Sequence, residues 1–202
     1  MNEQRSQAWF KEREGKVTAS TFGQAAGLGP GSRQQAWRRL KVLEVFEGNE
    51  ATQWGETHEP VALEAYQKHV AQGKVALTGF VLHPEHAWLG GSPDFLIDED
   101  GIGEIKCPFS MVRYPEVPAH YMAQVQGLLE ITNRSYCDFV CWTPEAMSVT
   151  RIQRSPDYWG WLHIKLADFW CWVAANLEPP RQAKTIVPEI QIQQKPVSTI
   201  YF

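Results

Sequence analysis

The chain has 202 residues, 44% of them hydrophobic, with nine Trp and nine Phe, which supports a sizeable core and excludes a disordered chain. A formal net charge of −4 excludes a diffuse basic coat for nucleic acid but leaves room for a local basic groove. The polar start MNEQRSQAWFKERE is not a signal peptide and no apolar run reaches the length of a membrane span, so a soluble, cytoplasmic protein is expected.

Short helices are predicted over 5–13 and 19–27, the second capped by Thr18 or Ser20. GLGPGSR at 27–33 is a loop, and a helix follows over 33–47 with Trp37, Leu40 and Leu43 on its apolar side. A longer helix spans 54–71 and stops at Gly73. Strands then take over at 75–82, 87–91, 94–98 and 102–107. AHYMAQVQGLLEIT, from 119, reads as a helix, and YCDFVCW and SVTRIQR as two strands joined by a turn through Pro144. The stretch 156–177, rich in Trp and Leu, is a helix, and 181–202 is an extended tail in which IVPEIQIQ alternates apolar and polar. This order fits one α/β domain over 1–202, with a central mixed sheet flanked by helices. Cys107, Cys137, Cys141 and Cys171 form no CxxC pair and read as reduced thiols. His83-x-x-His86 reads as a solvated turn, His58 as a helix-surface residue, and the aromatics Trp159, Trp161, Phe169, Trp170 and Trp172 as core and subunit interface.

The stretch GGSPDFLIDEDGIGEIKCP, at 90–108, carries more charge than a hairpin needs. Strand alternation puts Glu104 and Lys106 on one face and Ile105 on the other. A symmetric four-residue loop over 98–101 would set Phe95 opposite Glu104 and turn Asp94 away. A three-residue loop with Gly101 in a left-handed bulge position would instead bring Asp94 across to Glu104 or Lys106. Two carboxylates on one face form an oxygen-rich site for a hard cation such as Mg²⁺, and an adjacent Lys suits water orientation or a negative transition state. As isolated letters, the same residues would pass for a surface hairpin with a Glu–Lys pair.

Pro93-Asp94, nine residues, then Glu104-Ile105-Lys106 resembles the PD-(D/E)XK nuclease signature. Four further stretches, in order, resemble the lambda-type (YqaJ-like) phage recombination exonucleases of that superfamily: WFKEREGKVTAS at 9–20, WGETHEP at 54–60, GGSPDFL with EIKCPFS, and HYMAQVQ at 120–126. The resemblance implies a restriction-endonuclease-like core and a processive, Mg²⁺-dependent 5′-to-3′ exonuclease acting on ends of double-stranded DNA. It implies two Mg²⁺ ions, with Mn²⁺ able to substitute. It also implies 3′ single-stranded tails for a single-strand annealing protein, and a toroidal homotrimer of phage or prophage origin. Carried over residue by residue, it implies catalytic roles for Glu59, Asp94, Glu104, Lys106 and Gln124. Asp94, Glu104 and the Ile105 carbonyl would bind the metal, with Glu59 at a second ion or its water shell. Arg13, Ser20 and Ser92 match positions that hold a terminal 5′-phosphate, and Arg33 is a candidate for the minor groove.

Each role has a plainer rival. Glu59 suits a helix first turn, Gln124 a solvated helix face, Arg13 a surface pair with Glu12 or Glu14, and Ser20 a helix cap. The chain departs from the family just before its WG motif, where 49–53 (NEATQ) is polar and supplies no apolar strand-separating wedge. Two alternatives keep the same fold: a non-cutting module that binds DNA ends, and an endonuclease.

Overall fold

A computed structural model describes residues 4–41 and 48–202. Helix α1 (Gln7–Arg13) starts where the Ser6 side chain accepts a hydrogen bond from the Trp9 amide. The two-residue strand β1 (Val17–Thr18) leads into α2 (Ala19–Ala25); Thr18 is its N-cap residue but makes no side-chain cap. Helix α3 (Arg33–Leu40) opens with a reciprocal capping box between Ser32 and Gln35. The expected continuation of this helix through 42–47 lies outside the described residues. Helix α4 (Glu50–His69) begins four residues before its predicted start, because Asn49 caps it through the Thr52 amide.

The predicted strand over 75–82 is two short strands in different sheets, β2 (Val75–Ala76) and β3 (Val81–Leu82). They are followed by β4 (Leu89–Gly91), β5 (Phe95–Ile97) and β6 (Gly101–Lys106). Helix α5 (Ala119–Thr132) ends at Asn133, which takes the left-handed conformation common at helix C-termini. Strands β7 (Tyr136–Trp142) and β8 (Ala146–Gln153) precede α6 (Pro156–Ala174), capped by Ser155 with proline in its first turn. In the tail, IVPEIQIQ forms no strand; its Val187, Ile190 and Ile192 pack on the core, and the strand is the next stretch, β9 (Gln194–Tyr201), paired with β8.

Among the described residues the strands form a three-stranded sheet ordered β1-β4-β3 and a six-stranded sheet ordered β2-β5-β6-β7-β8-β9. Both are mixed: β1–β4 and β6–β7 are parallel, and the other pairs antiparallel. The larger sheet is covered on both faces, as its nearly continuous burial requires. On one face Ile102, Cys137, Phe139, Cys141 and Ile152 pack with α2, α5 and α6 through Phe22, Leu128 and Leu162. On the other, Phe95, Ile105, Val140 and Met147 pack against Ala62 and Tyr66 of α4. This is the predicted sheet with helices on both faces. Buried Cys137 and Cys141, four residues apart on β7, share the α5 side as small apolar groups.

The turn predicted to be solvated is exposed only at Pro84 and Glu85. His83 is 5% exposed, stacks on Trp159 and lies against His86, which stacks in turn on His163 of α6. Aromatic neighbours on α6 pulled the turn inward, and the local sequence carries no trace of them.

Candidate active site

The β5–β6 hairpin sets the site. Its pairs are Phe95 with Gly103, Leu96 with Ile102 and Ile97 with Gly101, which leaves a three-residue loop over 98–100. One step further along this register, Asp94 stands across from Glu104. The odd loop is the one that a cluster requires, but its left-handed residue is Asp98 (φ 44°) and not Gly101. Asp98 holds this conformation because its carboxylate accepts from the Lys74 amide, while the Arg134 guanidinium binds the Ile97, Asp98 and Gly101 carbonyls. Gly101 and Gly103 are needed for a different reason: the ring of Tyr136 covers one and that of Phe95 the other, where a Cβ would stand.

Glu104 and Lys106 share the α5 face, and Ile105 points into the α4 layer. Glu104 Oε1 accepts from Lys106 Nζ and from Gln124 Nε2 of α5, both at 2.6 Å. Glu104 Oε2 is buried with no hydrogen-bond partner among the described residues. Asp94 Oδ2 accepts from the Ile105 amide at 2.6 Å, which ties the carboxylate to the strand opposite. The Lys106 ammonium also lies 4.7 Å from the centre of the Tyr121 ring. Glu59 reaches the site from α4, and its Oε2 accepts from Arg5 Nη2 at 2.8 Å. Arg5, Glu59, Asp94 and Ile105 line one cavity of about 420 Å³.

Burial is the largest cause of the Asp94 shift well above the usual carboxylate range, and the charges of Glu104 and Glu59 add to it. Burial also raises Glu104, against the pull of Lys106. Burial alone would lower the Lys106 ammonium, but Glu104 and Asp94 outweigh it and raise the group. Lys106 thus offsets only part of the bias that burial gives Asp94 and Glu104 toward their neutral forms.

These donors fit a hard divalent cation. The buried Glu104 carboxylate has an orphaned oxygen, the partly buried Asp94 carboxylate stands close enough for their charges to repel, and the main-chain carbonyl of Ile105 follows Glu104 on the same strand. Among the described residues no three His, Cys, Asp or Glu side chains converge closely enough to hold an ion by themselves. Glu59 is engaged by Arg5, so the convergent carboxylates are Asp94 and Glu104.

The sequence model of the YqaJ-like viral recombinase domain matches residues 8–135, which carry all of these side chains except Arg5. The chain belongs to that family. The alkaline exonuclease LHK-Exo from Laribacter hongkongensis is similar in structure, with a TM-score of 0.74 at 29% identity, over 85% of this chain and 94% of that one. LHK-Exo in complex with dAMP gives 0.76 at 28% identity over the same shares. A phage-related exonuclease from Haemophilus somnus 129PT shares the fold, with a TM-score of 0.58 at 18% identity over 80% of this chain and 96% of that one. No curated protein matches the sequence.

Within this YqaJ-like domain, Arg13, Ser20 and Ser92 are connected through two residues that the sequence reading did not assign to the site. Arg13 lies 4.0 Å above the Trp9 ring, and Trp9 Nε1 donates to Ser92 Oγ at 2.9 Å. Arg13 Nη2 reaches Thr18 Oγ1 at 3.5 Å, and Thr18 Oγ1 is 3.2 Å from Ser20 Oγ. Burial lowers the Arg13 pKa to about 10, and among the described residues it makes no ion pair, with Glu12, Glu14 or any other acid. A half-buried cation without a counter-ion among the described residues suits an incoming anion. Arg33 is placed otherwise than expected. It begins α3, is 7% exposed, and donates to Asp168 at 2.6 Å and Gln182 at 2.7 Å. Its guanidinium fastens α3 to α6 and the tail, and is not turned outward to a groove. His58 is held between the rings of Trp54 and Trp142. No described helix is long and apolar enough to cross a membrane.

Proposed function

We propose that this protein is a Mg²⁺-dependent exonuclease that digests linear double-stranded DNA processively from its 5′ ends. It would leave 3′ single-stranded tails for an annealing partner in recombination. The observation that carries this reading is the Glu104 carboxylate, with one oxygen shared by Lys106 and Gln124, the other orphaned, and Asp94 across the hairpin. Family membership and the likeness to LHK-Exo support it. Asp94, Glu104 and the Ile105 carbonyl would hold one divalent ion, and Glu59 would serve a second. Bound there, such an ion activates water and neutralises charge gathering on the phosphate. Gln124 fixes the rotamer of Glu104. Lys106, raised in pKa, suits a donor to water or to the phosphate and not a general base. Arg13 with Thr18, Ser20 and Ser92 would take the terminal 5′-phosphate, the feature that sets polarity. A closed homotrimer around the duplex would account for processivity.

Duplex labelled at either the 5′ or the 3′ end, with and without Mg²⁺, tests the reading beside a closed circular duplex. The expected result is Mg²⁺-dependent release of 5′ label as mononucleotide, an intact circle, and slower initiation on 5′-hydroxyl ends. Glu104→Gln and Lys106→Ala should each cut the rate roughly 10²–10³-fold while duplex binding persists. A cut circle would mean an endonuclease. Undiminished digestion by Glu104→Gln would overturn the site.

A further inference from the structure

Arg5 lies upstream of every motif, yet it meets the site. Its Nη2 stands 2.8 Å from Glu59 Oε2, across the cavity lined also by Asp94 and Ile105. The segment that carries it is fastened on both sides. Gln4 Nε2 donates to the Thr78 carbonyl at 3.1 Å and to that of Pro93, the residue before Asp94, at 2.8 Å. Ser6 caps α1. Between these anchors Arg5 takes φ 67°, a conformation that an L residue other than Gly adopts at a cost. A casual surface pair needs no such fixing, whereas a side chain that must arrive at one carboxylate does.

Two carboxylates, Glu59 and Asp94, line the cavity, Glu104 stands across the hairpin from Asp94, and Lys106 is bonded to Glu104 alone. Arg5 is the cation at Glu59. The geometry points to Arg5 as a positioning residue of the metal site: its guanidinium occupies the Glu59 carboxylate that a second divalent ion would take, so ion binding there breaks the pair. The guanidinium so released remains at the cavity rim, where a phosphate oxygen of the substrate arrives, and Arg suits that contact. Ion loading and phosphate capture are thereby coupled through one side chain. This inference rests on the nuclease reading of the site.

Calorimetric titration with Mn²⁺, without DNA, separates the two. Arg5→Ala should bind Mn²⁺ about two- to five-fold more tightly than the wild type, the range expected for releasing a partly exposed ion pair. In a Glu59→Gln background Arg5→Ala should change nothing. At saturating Mn²⁺ the same Arg5→Ala protein should digest 5′-phosphorylated duplex more slowly, and Arg5→Lys should fall between on both measures. Tighter ion binding together with slower cleavage is a pattern that a loosened fold does not produce. Arg5→Ala affinity equal to or weaker than that of the wild type, or an equal shift in the Glu59→Gln background, would overturn the proposal. A wild type that takes up no Mn²⁺ would instead overturn the nuclease reading beneath it.

Discussion

Asp94 accepts one short bond, from the Ile105 amide, and bears the charges of Glu104 and Glu59 while partly buried. Its pKa in the folded protein lies above that of the unfolded chain, about 3.9. Its contribution to stability is therefore complete below that value and is lost as pH rises through the folded one. At neutral pH the ion-free protein carries this burden. Asp94→Asn keeps an acceptor for the Ile105 amide and removes the charge. It should abolish cleavage yet raise Tm by about 2–4 °C at pH 8 in a chelator, with the gap closing near pH 4. Thermal melts at the two pH values check it, and an equal or lower Tm at pH 8 would show that the site is not charge-strained. At this scale much was legible. The placing of Asp94, Glu104 and Lys106 follows from strand alternation and the motif, and that of Gln124 only from the resemblance of HYMAQVQ. Arg5 was not, because its meeting with Glu59 joins residues 54 apart through an irregular segment. Nor was the role of Arg33, whose partners lie 135 and 149 residues away.

Among the elements, the hairpin shows how a correct register can be read with a wrong part for its glycines. The letters of DEDGIG suggest conformational freedom. The structure uses the absence of a Cβ, because aromatic rings lie where side chains at Gly101 and Gly103 would be. Gly103→Ala should accordingly destabilise the protein by about 1–3 kcal/mol, the range for overpacking a filled core, measured by urea unfolding. Its activity should fall more steeply than its stability, because Glu104 is the next residue. Phe95→Leu in the same chain should recover part of both. A fully stable Gly103→Ala would mean that the ring does not lie over the strand. Long helices, β7 and β8 were legible from period and caps. The two-residue strands β1, β2 and β3 were not, since pairs so short are created by their neighbours.

Across the whole molecule, the layered α/β order was legible, and the extended tail contains a final strand that begins just after the alternating IVPEIQIQ stretch. The packing of the β3–β4 turn on α6 was not. That contact is a ladder of rings: His83, His86 and His163 with Trp88, Trp159 and Trp170. Burial, then the neighbouring His86, lowers His83 and His163, and Glu130 partly offsets both, with Glu85 also acting on His83. Folding thus favours neutral imidazoles. Stability is complete above about pH 6.5 and is lost as pH falls below it, when the unfolded chain takes up protons first. Urea unfolding at pH 7.5 and 5.5 should show the loss, and His86→Asn should shrink it; an unchanged pH dependence would remove the ladder as its source. The parallel pairing of β6 with β7, joined through α5, has a consequence in time. Such pairs form slowly, because a long loop must close before any contact rewards it. Glu104 needs β5 for Asp94, α5 for Gln124 and α4 for Glu59. A half-made chain therefore holds no complete site, and the power to cut is among the last properties that the folding molecule acquires.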